Sequence, residues 1–169
     1  MTIKSKIFAE SIVCIALSAA LYLITIFSLP QGGRITAGSM IPIFWLSIRR
    51  GAKIGLLTGA VFGLVVLMIE PFILHPIQVL LDYPVAFGLL GLAGFFKKLP
   101  LIGVGIGMAG RFFSHFSSGI IFFSSYVPAG INHALYSIIY NGSYILPEFI
   151  VSAVMIYILV KRGVIDIYR

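Results

Sequence analysis

Charge is scarce in this chain of 169 residues: Asp and Glu together number five, and only 10% of residues are charged. A soluble domain of this length needs far more polar surface, so a soluble globular protein is excluded. Cys14 is the only cysteine, which rules out an internal disulfide and a thiolate metal site. No Gly-x-x-x-x-Gly-Lys-Ser/Thr phosphate loop occurs, so nucleotide is not hydrolysed here through that device. A Gly-x-Ser-x-Gly elbow is missing too, and no Ser/His/Asp order points to an intramembrane hydrolase. His75, His115 and His133 lack the i, i+4 spacing of a helical metal site. Neither a metal nor a cofactor is expected.

What remains is apolar. Hydrophobic residues make up 60% of the chain and the mean hydropathy is +1.10. Ten of the twelve Lys and Arg residues fall in four clusters: Lys4 with Lys6; Arg49, Arg50 and Lys53; Lys97 and Lys98; and Lys161, Arg162 and Arg169. Only Arg34 and Arg111 lie elsewhere. Basic residues flanking membrane helices stay on the cytoplasmic side, so all four clusters are placed there. The intervening stretches of 42, 43 and 62 residues each hold two crossings of about 20 residues and an outer loop. This predicts an all-α polytopic protein with six transmembrane helices, both termini cytoplasmic, forming a single domain over residues 1–169 of the cell membrane. The +7 net charge is then explained by topology and by anionic inner-leaflet lipid, not by nucleic acid.

Proline and glycine set the expected boundaries. Helix 1 runs from about Ile7 to Ser28, with the apolar stretch continuing to Leu29 before Pro30-Gln31-Gly32-Gly33 breaks it. That run is of spanning length, so an uncleaved helix is expected in place of a signal peptide. Helix 2 covers Ser39 to Ile48 and is short, helix 3 Ala52 to Glu70, helix 4 Pro76 to Phe96, helix 5 Leu101 to Phe123, and helix 6 His133 to Val160. Gly51, Gly55, Gly59 and Gly63, and Gly88, Gly91 and Gly94, recur at spacings that let helix backbones approach closely in lipid. Ala16 and Ala20 make a similar pair on helix 1, for internal packing or for docking a partner. Trp45 is expected to face lipid or the interface.

Ionisable groups at membrane depth are costly and therefore informative. Glu70, Asp82, Arg111, His115 and Glu148 qualify. Arg111 lies 13 residues beyond Lys98 and Glu148 lies 13 before Lys161, so both sit roughly 20 Å from the inner boundary, and a structural ion pair between them is expected. Three polar stripes follow helical spacing: His75, Gln78 and Asp82; Arg111, His115 and Ser118; and Ser137, Asn141, Tyr144 and Glu148. Their convergence in the outer half describes a pocket, with Phe72, Tyr83, Phe122, Phe123, Tyr126, Tyr136 and Tyr140 in the same layer. Asp82, a carboxylate with no evident basic neighbour among aromatic rings, suits a flat cationic or amino-bearing ligand.

Several segments, in order, resemble a known family. They are Pro30-Gln31-Gly32-Gly33, Ser39-Met40-Ile41-Pro42-Ile43 leading to Arg49-Arg50-Gly51, His75-Pro76-Ile77-Gln78 to Leu81-Asp82-Tyr83-Pro84, Gly91-Leu92-Ala93-Gly94, Phe113-Ser114-His115-Phe116, and Tyr136-Ser137 to Asn141-Gly142. Together they resemble the thiamine-specific S components of energy-coupling factor (ECF) vitamin transporters, the ThiT/YuaJ family. The resemblance implies a non-enzymatic, six-helix protein that binds thiamine, or a related small cationic vitamin, beneath its first outer loop. It also implies docking onto a transmembrane T component joined to two ATPase subunits. Ligand contacts carry over to Asp82, Tyr83, His115, Phe123, Tyr136 and Asn141, and partner docking to Ala16 and Ala20. Here Asp82 stands where some members carry Glu, and Phe123 where some carry Trp. Two other classes stay open on the residues alone: a small ion-coupled secondary carrier using Asp82, His115 and Glu148, and a structural membrane protein.

Overall fold

The computed structural model describes residues 2–164; Arg169, the last member of the fourth basic cluster, lies outside them. Among the described residues the elements are α1 (Ile3–Leu23), the strands β1 (Thr25–Ser28) and β2 (Arg34–Thr36), α2 (Ile41–Arg50), α3 (Ala52–Ile69), a composite helix α4 (Pro76–Phe95), α5 (Pro100–Phe122) and α6 (His133–Lys161). Short 3₁₀ turns at Pro30–Gly32 and Ser124–Tyr126 accompany these six longer helical segments, four of which (α1, α3, α4 and α6) are long and apolar enough to cross a membrane.

The first expected helix is cut short. Its apolar run continues past Leu23, but Thr25–Ser28 pairs antiparallel with Arg34–Thr36, matching Thr25 to Thr36 and Ser28 to Arg34. Thr25, Ile26 and Phe27 are β-branched or aromatic and favour a pleated strand. Gln31 at φ +63° and Gly32 at φ +91° turn the chain over at the hairpin tip.

Helix α2 has ten residues, about 15 Å of rise, or half a hydrocarbon core. It can be short because it is enclosed: Ile43, Phe44 and Leu46 are fully buried together with Met40 at its N-terminus. Trp45 is half-buried, with the Arg49 guanidinium 4.9 Å from its ring centre. Arg50 Nε donates to Glu10 at 2.6 Å, and Arg49 lies 3.5 Å from the same carboxylate. These pairs join α1 to α2 at the end where the described basic clusters gather.

Glycines set the α3–α4 seam. A Cβ at Gly59 would lie 2.3 Å from the carbonyl oxygen of Phe87, one at Gly63 2.3 Å from that of Tyr83, and one at Gly91 2.1 Å from the nitrogen of Leu56. Backbone therefore packs on backbone, as small-residue spacing permits where lipid gives no hydrophobic drive. Within α4, Pro84 has no N–H to give, and the helix widens into a π-helical turn over Leu81–Val85. The Ala86 N–H reaches back to the Leu81 carbonyl, and Ser114 Oγ of α5 donates to that carbonyl at 2.6 Å.

Replacing Gly59 by Leu should lower the detergent melting temperature sharply, at a cost of about 3 kcal/mol. Gly142→Ala, where an added methyl meets nothing within 4 Å, should melt like the parent. Equal melting of all three proteins would contradict the backbone seam.

Candidate functional site: a cavity beneath the hairpin

At the end opposite the basic clusters, α4, α5 and α6 diverge around a cavity roofed by the β1–β2 hairpin. It is open at its mouth, and its lining mixes aromatic rings with convergent polar groups, as small-molecule sites do. Asp82, Tyr83, His115, Phe123, Tyr136 and Asn141 all line it, as do Gln78, Arg111, Ser137 and Tyr144. The three polar stripes thus converge, each with one member left out. His75 is exposed and caps α4 by accepting from the Ile77 N–H at 3.1 Å. Ser118 is fully buried outside the cavity lining, and so is Glu148.

Asp82 is not isolated. Its Oδ2 accepts from Gln78 Nε2 at 2.7 Å, and its Oδ1 lies 3.1 Å from His115 Nδ1. Arg111 Nε donates to the other ring nitrogen, His115 Nε2, at 3.4 Å. Because guanidinium can only donate, Nε2 must accept, which assigns the imidazole proton to Nδ1 and directs it at Asp82. Arg111, His115 and Asp82 form one relay of hydrogen bonds across the cavity wall. The imidazole passes the influence of a buried cation to the carboxylate without direct contact.

The expected Arg111–Glu148 ion pair is not formed. Arg111, 6% exposed, donates through Nη1 to the Met40 sulfur at 2.7 Å and stands 4.5 Å from the centre of the Phe87 ring, a cation–π contact. Glu148 instead accepts from the backbone N–H and from the hydroxyl of Thr36 in β2. Equal depth along two helices does not fix which way each side chain points around its axis.

The second carboxylate of the lining, Glu70, is fully engaged. Arg34 of β2 forms an ion pair with it, and Tyr22 Oη donates to its other oxygen at 3.0 Å. Arg34 stood outside every basic cluster, which was the available signal for this pair; Tyr22 gave none. Tyr83 combines lining with bracing: its hydroxyl donates to the Glu70 carbonyl at 2.9 Å and accepts from the Phe72 N–H at 2.8 Å. Asn141 gives its Nδ2 to the Ser137 carbonyl at 2.9 Å and accepts from Tyr144 Oη at 2.8 Å. Phe123 and Phe72 stack at 5.7 Å with 14° between their planes, and Tyr136 and Tyr140 stack at 6.1 Å. Flat aromatic faces therefore border the polar floor on two sides.

The model of the thiamine transporter protein family (Thia_YuaJ) matches residues 8–165, nearly the whole chain. The chain belongs to this family. Curated relatives include the thiamine transporter ThiT of Bacillus subtilis (strain 168), 41% identical over 78% of this chain and 77% of its own. The thiamine transporter ThiT of Lacticaseibacillus paracasei is 32% identical over 71% and 70%. A solved ThiT from Listeria monocytogenes superposes with a TM-score of 0.86 at 27% identity, covering 96% of this chain and 97% of that one. With its several spanning helices, this family member is a multi-pass protein of the cell membrane.

Tyr83→Phe should destabilise the protein by about 1–3 kcal/mol in detergent melting, since it leaves the Glu70 carbonyl and the Phe72 N–H without their shared partner. Unchanged melting would show that the hydroxyl braces nothing.

Proposed function

We propose that this chain is the membrane-embedded substrate-binding (S) component of an ECF-type importer and that thiamine is its ligand. It is a transport protein and not an enzyme. The observation that carries the ligand assignment is the unequal state of the two carboxylates in the cavity lining. Glu70 is neutralised by Arg34, whereas the contacts of Asp82 are an amide and an imidazole. No ion pair with Lys or Arg meets Asp82 among the described residues, so this carboxylate is the one to meet an amino group or to offset a thiazolium charge. Thiamine supplies both features, and its flat aminopyrimidine fits between aromatic faces such as those at Phe123 and Tyr136, with Asn141 and His115 at their edges.

Delivery is assigned to partners. The basic end faces the cytoplasm by the charge rule, which puts the cavity mouth outside. Ala16 and Ala20 lie on the face of α1 turned away from the bundle, beside the exposed Val13 and Leu17, and present a small-residue surface to a T component carrying two ATPase subunits.

Asp82→Ala should weaken thiamine binding to purified protein by about 10- to 100-fold, the worth of one charge-assisted contact; calorimetric titration measures it, and parental affinity would refute the ligand assignment. Replacing Ala16 and Ala20 by Trp should abolish vitamin uptake by cells while leaving the affinity of purified protein intact. Persisting uptake would move the docking surface to another face.

A further inference from the structure

Glu148 is the buried titratable group that ligand recognition leaves unused. It is 1% exposed, makes no ion pair within 4 Å among the described residues, and stands outside the cavity lining. Both hydrogen bonds it makes converge on one oxygen, Oε1, and both come from Thr36: the backbone N–H and the hydroxyl, the latter at 2.7 Å. Thr36 closes the hairpin, paired with Thr25 across the ladder, and its hydroxyl is also approached by the Ser39 N–H at 3.2 Å. A carboxylate in the middle of α6 is therefore bonded to the base of the segment that roofs the cavity, 112 residues away in sequence.

The rest of the roof is held differently. At the tip, Tyr140 Oη accepts from the Gly33 N–H at 3.1 Å and donates to the Pro30 carbonyl, and at the side Arg34 meets Glu70. Tyr140, Arg34 and Glu70 all line the cavity, so a ligand entering or leaving can perturb them directly. Of these three anchors among the described residues, the Thr36–Glu148 joint is the one outside the cavity lining. We propose that Glu148 is a positioning residue for ligand exchange: by anchoring Thr36 it keeps the hairpin base seated on α6 and sets the rate at which bound ligand escapes, without touching it.

This inference rests on the thiamine-binding reading, and the experiment separates the two. Full-length protein in detergent or nanodiscs is loaded with thiamine, and association and dissociation are followed by stopped-flow for the parent, Glu148→Ala, Glu148→Gln and Thr36→Val. Absence of thiamine binding by the parent would overturn the ligand reading itself. Given binding, Glu148→Ala should speed dissociation about tenfold, the effect of losing one to two buried hydrogen bonds, while association does not slow. Glu148→Gln keeps an acceptor for both Thr36 donors and should stay within about twofold of the parent. Thr36→Val, which removes the hydroxyl donor and keeps the N–H, should fall between them and serves as the readout if the alanine variant fails to fold. A purely structural Glu148 would lower melting temperature without a dissociation-specific change. Parental dissociation in Glu148→Ala and Thr36→Val, or a loss of affinity arising from slower association, would overturn the proposal.

Discussion

Inside hydrocarbon no hydrophobic drive presses one helix on another, so the site depends on the seam where α3 and α4 meet backbone to backbone. Gly59 under the Phe87 carbonyl and Gly63 under that of Tyr83 leave no room for a side chain, and the resulting contact fixes α4 in height and rotation. That fixing matters because α4 is internally irregular. A helix that turns from α to π at Pro84 and tightens to 3₁₀ geometry over Leu89–Phe95 has poorer hydrogen bonding than a regular one. Its neighbour must supply the order that its own ladder lacks. Asp82, Gln78 and Tyr83 sit in and beside the widened turn, so the glycines of α3 hold the cavity's acidic wall in place from behind.

Among the described residues, four carboxylates follow one pattern: each takes its partner from a different element. Glu10 of α1 takes Arg49 and Arg50 from the end of α2, and Glu70 beyond α3 takes Arg34 from β2. Asp82 of α4 takes the His115–Arg111 relay from α5, and Glu148 of α6 takes Thr36 from β2. In lipid a polar group left alone costs several kcal/mol, so these pairings act as registry devices: a hairpin or helix displaced by one residue would strand both partners. Three of the four involve the roof or walls of the cavity, which is why the polar chemistry of the molecule collects at one end. The other end is left to Glu10 and the basic rim.

Most of this was legible in the sequence because membrane constraints are one-dimensional. Basic clusters and prolines mark heights, and the helical boundaries at Ala52, Pro76 and His133 fall where they were expected. Spacings of three, four and seven identify faces, so Gln78 with Asp82, Arg111 with His115, and Ser137 with Asn141 and Tyr144 reach the same cavity. What depends on azimuth or on alternatives of equal hydropathy was not legible. Residues 24–29 carry only the hydroxyls of Thr25 and Ser28 among apolar side chains, and so short and apolar a run shows neither a clear helical nor a clear strand periodicity. The Arg111–Glu148 expectation failed for the first reason: counting from the basic ends gave two equal depths, but Arg111 turns toward Met40 and Phe87 while Glu148 turns toward the hairpin. Arg34 was conspicuous as a basic residue outside every cluster, yet nothing in the order of residues told which carboxylate it would meet.

The protonation logic of the cavity follows from donor count. Arg111 can only donate, so it holds His115 Nε2 as an acceptor, and the single imidazole proton is committed to Asp82. The relay therefore points the imidazole N–H at Asp82 and keeps the charge of Arg111 one ring away. Asp82, bonded to an amide and an imidazole, has no cation in direct contact. It differs from Glu70, whose ion pair with Arg34 closes the roof, and the cavity thereby separates the carboxylate that holds the hairpin from the one left facing the ligand space.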